Sequence, residues 1–177
     1  MGDFLTDVET LRKRARENIE QGAITDGYGA DRKRVIDVLN GVLATELVCV
    51  LRYKRHYFTA QGINAATVAQ EFLEHANEEQ EHADAIAKRI VEIGGQPDFS
   101  PQGLATRSHS EYDESTELLQ MVREDLVAER VAIESYQEIV RWLGNDDPTS
   151  RRVIETILAV EEEHAEDLLS ILQEMKS

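Results

Sequence analysis

The chain has 177 residues, 41% of them hydrophobic and 31% charged, with three prolines and a formal net charge of −16. That describes one helix-friendly globular domain, too short for two, with no apolar run near the roughly 18 to 20 residues of a membrane span and no signal-peptide pattern beside Asp3 and Asp7. One cysteine, Cys49, forms no internal disulfide, so a cytoplasmic address is the default; a balance of −17 over residues 61–177, against +1 over residues 1–60, argues against general nucleic-acid binding.

Residues 4 to about 20 read as a short amphipathic helix with Leu5, Val8, Leu11, Ala15 and Ile19 on one side and the basic cluster Arg12, Lys13, Arg14 and Arg16. Gly22, Gly27 and Gly29 end it, so residues 1–30 are expected as an N-terminal extension to a body spanning 31–177. Four longer helical patterns follow, at about 31–61, 64–93, 114–143 and 147–175. Their punctuation is Asp31 and Asn64 as candidate N-caps, Gly94 after the second, Asp113 before the third, Gly144 after it, and Asp147 with Pro148 opening the fourth.

The joints set the topology. The first and third are a few residues long, so each flanking pair is an antiparallel hairpin. The middle joint, residues 94–113 with Pro97, Pro101 and Gly103, is long enough to run the length of the bundle. The expected fold is therefore all-α: a four-helix bundle with a long crossover between its second and third helices.

Two Glu-x-x-His pairs, Glu79/His82 and Glu161/His164, fall in the second and fourth helices. With 23 glutamates in 177 residues, five histidines give about 0.65 such matches by chance, so the motif alone is weak. Position strengthens it. At alternating three- and four-residue steps the apolar seams run Leu39, Leu43, Glu46, Val50, Tyr53, Tyr57; Phe72, His75, Glu79, His82, Ile86, Ile90; Leu118, Val122, Asp125, Glu129, Ala132, Tyr136, Ile139; and Ile154, Ile157, Glu161, His164, Leu168, Ile171. A lone glutamate, Glu46 or Glu129, interrupts each of the other two seams. Glu46 lies 16 residues before Gly62 and Glu79 17 after it; Glu129 and Glu161 each lie 16 from Asn145. A tyrosine follows each lone glutamate by seven residues, Tyr53 and Tyr136, so the hairpins read as two halves of one repeat.

Four carboxylates in an apolar core need compensation. Two divalent cations supply it, four charges of −1 against two of +2, with neutral imidazoles filling further positions. Carboxylate oxygen with imidazole nitrogen favours iron or manganese, with zinc able to compete.

At these residues the chain resembles the ferritin-like di-iron carboxylate superfamily, and within it the bacterioferritins and Dps-like mini-ferritins. The stretches that carry the resemblance, between about 35 and 173, are LNGVLATELVCVLRY, EEQEHAD, DLVAERVAIESY and EEEHAEDL. It implies Glu46 and Glu129 as terminal ligands, Glu79 and Glu161 as bridging ligands, His82 and His164 as one imidazole per metal, and Tyr53 beside the site. The implied activity is that of a ferroxidase: two iron ions per chain, Fe(II) oxidised by O2 or H2O2, and Fe(III) stored in a homo-oligomeric cage.

Departures refine this. Haem-binding relatives carry Met where this chain has Gln80, so no haem is expected. Thirteen residues follow His164, too few for the fifth helix of 24-subunit cages, which favours a 12-subunit shell. Related proteins often place an Asp four residues before each histidine ligand; here Glu78 can serve before His82, but Val160 stands before His164. Three other functions fit the scaffold. A rubrerythrin-like peroxidase would add a cysteine-rich domain and a glutamate where Ala132 stands, a manganese catalase stays open because sequence does not fix the metal, and a DNA-protecting protein would have only the N-terminal basic cluster to use. His75 and Asp125 are read as packed groups or metal relays, Glu162 and Glu163 as a solvated face, and His56 and His109 carry no readable role.

Overall fold

In the computed structural model, residues 6–17, 19–63 and 65–176 are described, and among them the regular structure is entirely helical. The helices are α1 (Val8–Arg14), α2 (Arg32–Thr59), α3 (Ala65–Glu92), α4 (Leu104–Arg107), α5 (Leu118–Leu143) and α6 (Pro148–Glu174), with a 3-10 turn at Ile19–Gln21. Asp31 caps α2 by accepting the Arg34 N–H at 3.2 Å, and Asp147 caps α6 by accepting the Ser150 N–H at 2.9 Å with Pro148 next in line. Asn64 and Leu5 lie outside the described residues.

Two expectations need correcting. The N-terminal helix spans Val8–Arg14 rather than residues 4 to about 20, buries none of its residues, and leaves Val8 and Leu11 exposed, as is Ile19 in the 3-10 turn beyond it, because one chain offers this apolar side nothing to cover it. The third long helix starts at Leu118, not near 114. Asp113 instead accepts the Ser115 N–H at 2.9 Å, and this local turn competes with the first helical turn.

α2 pairs with α3 and α5 with α6, as the short joints require. The long joint runs beside α2 in the same direction. The Asp98 N–H donates to Asn40 Oδ1 (2.8 Å), the His109 N–H to Thr45 Oγ1 (2.9 Å), Arg52 to the Glu111 carbonyl (2.7 Å) and Arg55 to the Glu114 carbonyl (3.0 Å). Each later residue of the joint meets a later residue of α2, so the chain crosses the bundle before α5 begins. This explains the nearly unbroken apolar stretch of α2: Val42, Ala44, Val48 and Cys49 are buried alongside the seam residues because the crossover and α4 cover a second face.

The crossover leaves α3 through Gly94, at φ +78°, and Gly95, where a Cβ would sit 2.9 Å from the Ile36 and Ile90 side chains. The apolar core is in two parts. One packs Val35, Leu39 and Leu43 against Ile86, Ile90, Ile139 and Ile154; the other packs Cys49, Tyr53 and Phe72 against Met121, Val122 and Leu168. In every long helix the residues between these two parts are the glutamates and histidines that interrupt the seam.

Candidate metal centre

The seam assignment places all six acids and imidazoles inside the bundle at one depth. Glu46, Glu79, Glu129, Glu161 and His164 are at most 2% exposed and His82 is 9% exposed. They form two groups whose ligand atoms lie within 4.8 Å of one another: Glu46, Glu79, His82 and Glu161, and Glu79, Glu129, Glu161 and His164. Glu79 and Glu161 belong to both.

Distances show how they are shared. His82 Nδ1 lies 3.3 Å from Glu46 Oε2, 3.5 Å from Glu79 Oε2 and 3.0 Å from Glu161 Oε1. His164 Nδ1 lies 3.7 Å from Glu79 Oε1, 4.0 Å from Glu129 Oε1 and 3.7 Å from Glu161 Oε2. Each shared carboxylate thus turns one oxygen to each imidazole. Both Glu161 oxygens, Glu79 Oε1, Glu46 Oε2, Glu129 Oε2 and both Nδ1 atoms are buried without a hydrogen-bond partner among the described residues. Buried polar atoms left unsatisfied together at one focus are what a bound cation resolves. Oxygen and imidazole donors of this kind suit iron, manganese or zinc.

The tyrosines brace the cluster across the repeat. The Tyr53 hydroxyl donates to Glu129 and the Tyr136 hydroxyl to Glu46, so each hairpin holds the lone glutamate of the other. Glu78 also works across the bundle. Its Oε2 meets His164 Nε2 at 2.7 Å, not the His82 of its own helix, and so fixes the ring that presents Nδ1 to the cluster. Val160 occupies the matching position in the other half and offers His82 no such partner.

Electrostatics describe the cluster without metal. Burial, and then the neighbouring Glu79, push Glu46 up to about 8; burial, and then Glu161 and Glu79, push Glu129 well above the usual carboxylate range. Burial also penalises Glu79 and Glu161 as anions, but the two imidazoles and the carboxyl groups that face them outweigh it and hold both below the ordinary value. His82 is raised, and His164 reaches about 11, because the facing carboxylates outweigh burial. Without metal, the cluster offsets its charge by keeping protons on both imidazoles and on Glu46 and Glu129, and divalent cations can take the place of those protons.

Two buried polar assemblies escape the sequence reading. Arg52 Nε meets Asp125 Oδ1 at 2.9 Å and His56 Nδ1 meets Asp125 Oδ2 at 2.8 Å, with Asp113 3.4 Å from His56 Nε2. At the other end Arg89 reaches Asp147 at 3.0 Å and Ser150 at 2.8 Å, while Tyr28 donates to Asp147 at 2.8 Å. Asp125 and His56 therefore hold the crossover and α5 to α2. An arginine inside the apolar stretch before Tyr53 was the available signal, since a buried cation needs an anion at its own depth. His75 is buried, its ring stacked on that of His164 with centroids 3.9 Å apart, and burial with the His164 charge pushes it down to about 3.

A four-helix bundle with a long crossover and a mid-depth cluster of four glutamates and two histidines defines the ferritin-like, di-iron carboxylate class. The chain belongs to it: the ferritin-like domain family model matches residues 36–177. A bacterioferritin of Desulfovibrio desulfuricans is 26% identical over 140 residues, 78% of this chain and 74% of that protein. A nutrient stress-induced DNA-binding protein of Synechococcus is 29% identical over 137 residues, 75% of this chain and 77% of that one. Among solved structures, a dodecameric thioferritin of Bacteroides fragilis, a bacterioferritin-related protein, superposes with a TM-score of 0.80 at 34% identity, covering 84% of this chain and 89% of that one. Dps from Staphylococcus aureus, at 21% identity and TM-score 0.76 over 79% of this chain and 95% of its own, shares the fold.

Proposed function

We propose that the chain is a ferroxidase of the iron-storage type, which binds two Fe(II) per chain between Glu46, Glu79, His82, Glu129, Glu161 and His164 and oxidises them with O2 or H2O2. The observation that carries the reading is the splitting of the Glu79 and Glu161 oxygens between the two imidazoles, in a cluster whose inward atoms lack other partners. In it, Glu79 and Glu161 bridge, Glu46 and Glu129 are terminal ligands held by Tyr136 and Tyr53, and each histidine serves one iron through Nδ1. Two Fe(II) give up two electrons together, which reduces O2 and two protons to H2O2, or H2O2 and two protons to two waters. A pair of metals is what a two-electron acceptor requires. Product Fe(III) passes to storage in a homo-oligomeric shell, for which the dodecameric thioferritin is the precedent that supports twelve subunits.

Stopped-flow oxidation of Fe(II) tests this. Glu46→Ala and Glu129→Ala are expected to lower the rate per folded chain about a hundredfold, some 2.7 kcal/mol of barrier, and unchanged rates in both would contradict the reading. A second reading, DNA protection, draws on the name of the Synechococcus relative and on the exposed basic turn of α1, Arg12, Lys13 and Arg14. A gel shift at physiological salt decides it, and no shift removes DNA binding.

A further inference from the structure

Beyond the six-residue cluster, a second set of metal-ligating side chains sits between α3 and α6. Glu71 and His75 lie one turn apart on α3, and Asp167 follows His164 by three residues on α6, so all three meet on one side of the helix pair. A ligand atom from each falls within 4.8 Å of the others. Burial grades across the set: Asp167 is exposed, Glu71 half-buried and His75 2% exposed.

His75 gives this set its direction. Its Nδ1 lies 3.3 Å from the Tyr53 hydroxyl, whose proton is donated to Glu129. The Tyr53 oxygen therefore acts as acceptor, and Nδ1 carries the ring's N–H. With Nδ1 turned to Tyr53, Nε2 is the ring nitrogen turned to Glu71, 3.3 Å from its Oε1, and the ring itself stacks on that of His164. One imidazole nitrogen and two carboxylates, drawn from two helices, are thus gathered at one place, with Asp167 completing the set from the other helix.

We infer that Glu71, His75 Nε2 and Asp167 form a third, outer binding site for a divalent cation, set between solvent and the buried cluster. Imidazole and carboxylate donors suit Fe(II), Mn(II) or Zn(II) rather than a soft monovalent ion. His75 also belongs to an inner group with Glu129 and His164, so one imidazole separates the outer site from the cluster. A cation held there is one step from the centre and still within reach of water. Binding at this site stands apart from the ferroxidase reading; its use as the entrance for Fe(II) rests on that reading.

Anomalous diffraction from crystals of the whole protein grown metal-free and soaked in Zn(II) tests the site. The expected result is a zinc peak in bonding contact with His75 Nε2 and with carboxylate oxygens of Glu71 and Asp167, lost in the Glu71→Gln/Asp167→Asn variant while the buried peaks persist. Both substitutions lie toward the surface and leave the two apolar core parts untouched. Native mass measurement in Zn(II) should show the double variant binding one zinc fewer per chain. Buried peaks with none at His75, or an outer peak undiminished in the double variant, would overturn the inference. An outer peak with an empty six-residue cluster would instead overturn the proposed function and leave this site standing.

Discussion

Two buried polar regions lie within a few turns of each other, and they solve the same problem in opposite ways. In the Arg52, His56 and Asp125 network the chain supplies its own cation, and both carboxylate oxygens of Asp125 face a basic group at 2.8 to 2.9 Å. In the central cluster four acids converge with two imidazoles and no arginine or lysine. The first region is closed, balanced by a fixed arginine; the second is open, reaching balance only by holding protons, which divalent cations can replace. Burial and charge alone do not separate a structural network from a binding site, since both regions have them. What separates them is whether the counter-charge is a fixed arginine or protons that a cation can displace.

The largest expected effect breaks the closed region. Asp125→Ala strands Arg52 and His56 in the core and should cost about 3 to 5 kcal/mol in urea unfolding, with metal bound per folded chain unchanged. Glu129→Gln, a substitution at equal burial in the open region, should leave metal-free stability the same or higher, because it removes an acid that burial already keeps neutral. Equal losses in the two variants would erase the distinction.

Next in size is the effect of metal. Dications bind the folded chain and not the unfolded one, so Mn(II) or Zn(II) at a hundred times the dissociation constant of the centre should add about 2.7 kcal/mol. That corresponds to a melting rise of roughly 5 to 10 °C, read by calorimetry and reduced in Glu79→Gln/Glu161→Gln. Binding should also release protons, measured in weakly buffered solution, because the cations displace those held on the imidazoles and on Glu46 and Glu129.

A smaller effect follows pH. Glu46 keeps its proton to about pH 8 in the folded, metal-free protein and releases it near 4.5 when unfolded. The folded state therefore binds more protons, and this carboxyl's contribution to stability is fully present below about 4.5 and lost as pH rises through about 8. The melting temperature of metal-free protein should fall across that window, and Glu46→Gln should flatten the fall. Smallest is Glu78→Gln, which loosens the orientation of His164 and should weaken metal binding about tenfold or less, with no matching loss at Val160→Ala.

The open region was the more legible in sequence, and the reason is physical. A glutamate on an apolar seam violates the binary pattern, and the violation recurs at matched depth in both hairpins, so Glu46, Glu79, Glu129 and Glu161 announce themselves. The four long helices, their short joints and the crossover were readable for a similar cause: caps such as Asp31 and Asp147 act locally. Contacts across the crossover were not. Asp125 and His56 sit 69 residues apart, and no periodicity links them. Glu78 was readable as an aid to a histidine but pairs with His164 rather than His82, since helix spacing cannot say which neighbouring helix a partly exposed side chain reaches. α1 was over-extended because its apolar stripe predicts a covered face that a single chain does not provide.

Anaerobic titration of metal-free protein with Fe(II), followed by native mass, tests the central claim most directly. The account predicts tight binding of no fewer than two irons per folded chain in the wild type, lost on Glu79→Gln/Glu161→Gln and retained on Asp125→Asn. Saturation well below two irons per chain, or equal iron in the wild type and the Glu79→Gln/Glu161→Gln variant, would contradict it.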